Sequence, residues 1–137
     1  MIFLDTNVIS EDLRAEPNLM VIDWLERFDV ELVISSVAVA EIAFGISKTR
    51  PERRALRLSH GLDEWRNRFR GRIFAFTEEA ALVYGDLMGD AVRGGRGMQP
   101  LDGMIAAIAR VNHAKLATRN ILHFQHCGLD LINPWES

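Results

Sequence analysis

Short apolar runs alternate with stretches of helical spacing along the whole chain. The first run, Met1-Ile2-Phe3-Leu4, leads directly into Asp5, Thr6 and Asn7, with Val8 and Ile9 beyond. Such a run suits a buried parallel strand that delivers Asp5 to its carboxyl end, the edge where open α/β sheets form their ligand crevices. Residues 17–28 carry Leu19, Ile22, Trp24, Leu25 and Phe28 at helical spacing. Residues 31–35 read as a second strand, and Ser36 as the N-cap of a helix over 37–47. Residues 51–69 predict a long basic amphipathic helix, and 72–76 a third strand. Thr77 followed by Glu78 and Glu79 is a helix entry, because acids favour the positive end of the helix dipole. That helix runs to about Arg93, and 94–100 is the one obvious flexible loop. Residues 101–112 are helical again, with Met104, Ile105, Ile108 and Val111 as the buried stripe. Residues 114–118 and 129–132 supply two more strands, the last stopped by Asn133-Pro134. The alternation predicts an α/β domain with a mostly parallel sheet, a single domain over 1–137 without internal repeats.

Composition narrows the picture only a little. Hydrophobic residues at 48% and charged residues at 26% are ordinary for a globular protein that buries a core. No apolar stretch approaches the roughly 18 residues of a membrane span, and the N-terminus lacks the basic start of a secretory signal. The single Cys127 excludes an internal disulfide and a cysteine-rich metal site, and a cytoplasmic location is expected. A net charge of −3 argues against a protein that coats nucleic acid through bulk electrostatics. The charge is unevenly spread, however. Between Lys48 and Arg72 lie nine Lys or Arg residues against Glu52, Asp63 and Glu64. This is either the solvated face of one long helix or a positive rim suited to a polyanion.

Three acids stand out because their neighbours are apolar. Asp5 ends a strand, Glu41 lies one turn into a helix that follows a strand, and Asp102 begins the apolar helix after Pro100 and Leu101. Each has a plain structural alternative: a cap, a first-turn acid, or a surface position on its helix. In a parallel sheet, though, helix N-termini that follow strands gather at the edge where Asp5 emerges, so the three carboxylates can converge. Clustered carboxylates repel unless a cation sits among them. With no Cys/His cluster, the donor set favours a hard ion, Mg²⁺ or Mn²⁺, over zinc. The chain has neither a phosphate-cradling Gly-x-x-x-x-Gly-Lys-Ser/Thr loop nor a Gly-x-Ser-x-Gly nucleophile elbow. A phosphatase working through an Asp5 phosphoenzyme is a rival, weakened because Asn7 stands where haloacid-dehalogenase-type enzymes carry a second acid.

These blocks resemble a known family. Leu4-Asp5-Thr6-Asn7-Val8-Ile9-Ser10, Ser36-Val37-Ala38-Val39-Ala40-Glu41-Ile42 with Gly45, Leu101-Asp102-Gly103-Met104-Ile105-Ala106-Ala107, Ala117-Thr118-Arg119-Asn120 and the closing Leu131-Ile132-Asn133-Pro134-Trp135 are similar to PIN-domain ribonucleases of the VapC toxin type, in their FitB-like branch. The resemblance spans essentially the whole chain. It implies a PIN-like three-layer α/β/α fold with a four-or-five-stranded, mostly parallel sheet. It also implies a Mg²⁺-dependent endoribonuclease, the toxin of a type II toxin–antitoxin system, homodimeric and paired with a DNA-binding antitoxin of VapB or FitA type. Asp5, Glu41 and Asp102 correspond to the family's metal-binding and catalytic acids. A fourth acid is expected where Asn120 or His123 stands, and this chain has neither. Thr118 and Arg119 are candidate substrate-side groups, with Thr6, Asn7, Asn120 and His123 as further auxiliary positions; Thr118 is alternatively a cap for the following turn. The missing acid leaves open a catalytically impaired PIN module that binds RNA or a partner protein.

Overall fold

The computed structural model describes residues 1–136. Its centre is the shortest-range prediction of all: strand β1 (Ile2–Leu4), fully buried, in the middle of a five-stranded sheet of order β3-β2-β1-β4-β5. The others are β2 (Leu32–Ser35), β3 (Ile73–Phe74), β4 (Lys115–Ala117) and β5 (Leu131–Ile132), and every pairing is parallel. Phe3 sits opposite Val33 on one side and Leu116 on the other, so β1 is apolar on both faces.

Alternation along these strands separates two cores. Ile2, Leu4, Leu32 and Ile34 face one layer, with Val8, Ile9, Trp24, Leu25, Ile42, Trp65 and Phe69. Phe3, Val33 and Leu116 face the other, with Ala80, Leu87, Ile105, Ile108 and Phe124. The first layer is built by α1 (Thr6–Asp12), α2 (Leu19–Arg27), α3 (Ser36–Ser47) and α4 (Glu52–Arg68). The second is built chiefly by α5 (Glu78–Arg93) and α6 (Pro100–Val111), with the single helical turn α7 (Ile121–Phe124).

Helix starts follow their caps. The Asn18 side chain accepts from the N–H groups of Met20 and Val21, and Thr77 accepts from Ala80. The cap of α3 is Ser35, not Ser36: its Oγ accepts the Ala38 N–H at 3.0 Å, and Ser36 is already inside the helix and exposed. Helix α1 has no counterpart in the sequence reading, because seven residues directly after a strand show too little periodicity. The long basic helix α4 does form, burying Leu62 and Trp65. Trp65 donates its indole N–H to Asp12 at 2.7 Å and stacks on Phe69, which fastens α4 to the end of α1.

At the start of α6, Gly103 packs against α5 so closely that a Cβ there would stand 2.7 Å from Met88 Sδ and 3.1 Å from the Tyr84 ring. A side chain at Gly103 would force Met88 and the Tyr84 ring to shift. Among the described residues, no helix is long and apolar enough to cross a membrane.

Candidate functional site

Asp5 follows the last residue of β1 and caps α1, so the strand-end and cap readings are both realised by one side chain. It is 4% exposed. Its Oδ1 accepts the Thr6 N–H at 2.8 Å, and its Oδ2 accepts the Thr118 hydroxyl at 2.7 Å. A carboxylate offers about four lone-pair sites, so each oxygen keeps capacity for one more partner. Thr118 Oγ in turn accepts the Asn120 N–H at 3.0 Å, which ties the carboxyl to the turn after β4.

Glu41 lies half-buried on α3, and its Oε1 accepts the Thr6 hydroxyl at 3.0 Å. Asp102 sits in the first turn of α6, where its Oδ2 lies 3.6 Å from His123 Nδ1. That is ion-pair range and too long for a good hydrogen bond.

Asp5 feels the charges of both other acids, and Glu41 feels that of Asp102. Burial pushes the Asp5 carboxyl up from 3.8 to about 6; the charges on Asp102 and Glu41 act in the same direction, while the Thr118 hydroxyl and Thr6 N–H act against it. Burial also raises Glu41, assisted by Asp102 and opposed by the Thr6 hydroxyl. Burial raises Asp102, and His123 opposes it. Three carboxyls that each resist ionisation make a place that gains from a positive charge.

The donors are all oxygens, the chemistry of a hard divalent cation. Among the described residues, no three or more acidic, His or Cys side chains form a ready-made metal cage.

The remaining sequence candidates divide. Thr118 is fully buried, so it cannot touch a substrate; its hydroxyl is spent on Asp5 and the Asn120 N–H, and the expectation of a substrate-side group is corrected to one that holds Asp5. Asn7 Oδ1 lies 3.4 Å from the Arg119 N–H, joining the start of α1 to the turn after β4. Arg119 is exposed and lays its guanidinium over Trp135. Asn120 and His123 are exposed around α7, and the Asn120 side chain makes no cap bond.

A groove of 680 Å³ opens beside Thr6 and Glu41, unremarked in the sequence. Its apolar lining includes Leu13, Ile42 and Ile46, and Arg14, Arg54 and Arg57 bring positive charge to it. Arg54 and Arg57 are three residues apart on α4, a spacing that shares one helix face; this was the available signal.

A central strand that hands a buried acid to the carboxyl edge of a parallel sheet, with helices on both faces, defines a class: small three-layer α/β domains. Within that class the chain belongs to the PIN domain family, which matches residues 2–125. It is 39% identical to the VapC ribonuclease Y4jK of Sinorhizobium fredii, over 99% of both chains. It is 36% identical to toxin FitB of Neisseria gonorrhoeae, again over 99% of both. The crystal structure of FitAcB from Neisseria gonorrhoeae superposes with a TM-score of 0.92 at 34% identity, over the full length of both chains. The three-layer fold expected from the resemblance is the fold observed, and its sheet, expected to be four-or-five-stranded and mostly parallel, has five strands, all parallel.

Proposed function

We propose that this chain is the toxin of a toxin–antitoxin pair, a Mg²⁺-dependent endoribonuclease that hydrolyses RNA phosphodiesters at Asp5, Glu41 and Asp102. The observation that carries the reading is the buried Asp5 carboxyl at the sheet edge, raised to about 6 chiefly by burial and further by the charges of Asp102 and Glu41. The named activity of VapC relatives supports it. A bound Mg²⁺, or Mn²⁺ in its place, supplies positive charge at the phosphate and lowers the pKa of a water it holds.

Asp5 and Asp102 are the residues that would hold the ion directly. Glu41 orients the attacking water through its carboxylate, held by Thr6. Thr118 keeps Asp5 Oδ2 fixed, and the burial of Asp5 keeps bulk water from competing for its oxygens. Arg119, Asn120 and His123 line the exposed rim where an RNA strand would pass. With no acid at Asn120 or His123, one firm ion is the expected complement. The groove beside Glu41, apolar within and flanked by arginines, suits a segment of a cognate antitoxin, and the chain is expected to act as a homodimer in the cytoplasm.

The test is cleavage of purified total RNA with Mg²⁺ or with chelator. Wild type cuts only with the ion. Asp5→Asn and Asp102→Asn each lower the rate at least about a hundredfold while the protein stays folded. Full cleavage by Asp5→Asn overturns the site, and RNA binding without any cleavage by wild type assigns the chain instead to the impaired binding modules.

A further inference from the structure

One residue touches two of the three acids. The Thr6 backbone N–H holds Asp5 Oδ1 at 2.8 Å, and the Thr6 hydroxyl holds Glu41 Oε1 at 3.0 Å. The two acids belong to different elements, Asp5 to the end of β1 and Glu41 to α3, thirty-six residues apart in sequence. Their like charges repel. Glu41 is also a long, rotamer-rich side chain at the mouth of an open groove, so nothing in the packing alone holds its carboxylate. Its Oε2 makes no hydrogen bond among the described residues, and the Thr6 hydroxyl is its one fixed partner.

We infer that Thr6 is the positioning residue of the site, a clip whose N–H and hydroxyl set the Asp5–Glu41 separation and hold Glu41 Oε1 so that Oε2 remains free for water or metal. The inference rests on the carboxylate-site reading above. Thr6 acts through Glu41 and does not contact the reacting atoms. Its hydroxyl, not its shape, carries the role: serine can replace it, whereas valine, which matches threonine in size but offers no donor, cannot. A hydrogen bond to a charged acceptor is of the strength that sets an affinity change of about tenfold.

The experiment compares wild type, Thr6→Ser, Thr6→Val, Thr6→Ala, Glu41→Ala, the double variant of Thr6→Val with Glu41→Ala, and Asp5→Asn. Two readouts are taken: Mn²⁺ affinity of metal-stripped protein by isothermal titration, and steady-state cleavage of a labelled RNA. Thr6→Val and Thr6→Ala are expected to weaken Mn²⁺ binding and lower kcat about tenfold each, with KM little changed. Thr6→Ser stays close to wild type in both. In a Glu41→Ala background, Thr6→Val has no further effect, because the partner of the hydroxyl is gone. Wild-type behaviour of Thr6→Val and Thr6→Ala overturns the inference, as does a Thr6→Val defect that persists undiminished without Glu41. If Asp5→Asn and Glu41→Ala themselves bind Mn²⁺ and cut RNA like wild type, the carboxylate-site reading fails instead.

Discussion

At Asp5, one side chain answers to three demands: it caps α1, ends the central strand and faces two other acids. The third demand costs stability. The folded carboxyl is raised from 3.8 to about 6, so the folded state binds its proton more tightly than the unfolded chain does. Well below pH 4 both states are protonated and nothing is lost. As pH rises from about 4 to about 6, the unfolded chain ionises while the folded carboxyl keeps its proton, so stability falls across that window and levels off above it. Asp5→Asn removes this dependence. In chelator, its stability relative to wild type is therefore expected to increase by about 1 kcal/mol between pH 5 and pH 7, read from urea midpoints at each pH. Saturating Mn²⁺ reverses the trend for wild type, because an ion stabilises the ionised form. A pH-independent difference between the two proteins contradicts the burial of a charged Asp5. The sequence showed Asp5, Glu41 and Asp102 as acids among apolar neighbours, but it left Thr118 between two roles. A buried hydroxyl 113 positions from its acceptor leaves no local pattern to read.

The helices set where those side chains stand, and their ends decide it. Glu41 depends on where α3 begins. Ser35, fully buried, caps that helix through the Ala38 N–H. Ser35→Ala leaves this donor unpaired away from water and is expected to cost about 1–2 kcal/mol in chemical denaturation, with a loss of cleavage beyond what the lost stability explains. Ser36→Ala, at the exposed neighbouring position, is expected to leave stability within about 0.5 kcal/mol of wild type. Adjacent serines at a strand–helix junction look alike in sequence; which one caps depends on the angle at which the strand enters, and that angle is set by the sheet. The long elements α2, α4, α5 and α6 were legible because periodicity accumulates over many residues. Helix α1 and strands β3 and β5 were blurred in existence or extent, since two to seven residues are ordered by their neighbours more than by their own pattern.

Over the whole molecule, Arg54 and Arg57 of the basic helix α4 border the same groove as Glu41. On the proposed reading, a polyanion approaching Asp5, Glu41 and Asp102 is repelled by those acids and drawn by these arginines. Arg54→Ala is expected to weaken binding of single-stranded RNA by the Asp5→Asn protein, used because it is expected not to cleave, and to lower the slope of log affinity against log salt by about 0.7, the change for one lost phosphate contact. An unchanged slope, measured by fluorescence anisotropy across a salt series, assigns this arginine to the partner-protein surface instead. The layered α/β class and the order of the main elements were legible in the residues, because burial periodicity and residue chemistry are written locally. The central place of β1 in the sheet, the hydrogen bonds from Thr6 to Glu41 and from Thr118 to Asp5, and the groove that Arg14, Arg54 and Arg57 share with Glu41 appear only in the folded chain. These are contacts between residues far apart in the chain, and they exist only once parallel pairing has brought the strand ends to one edge.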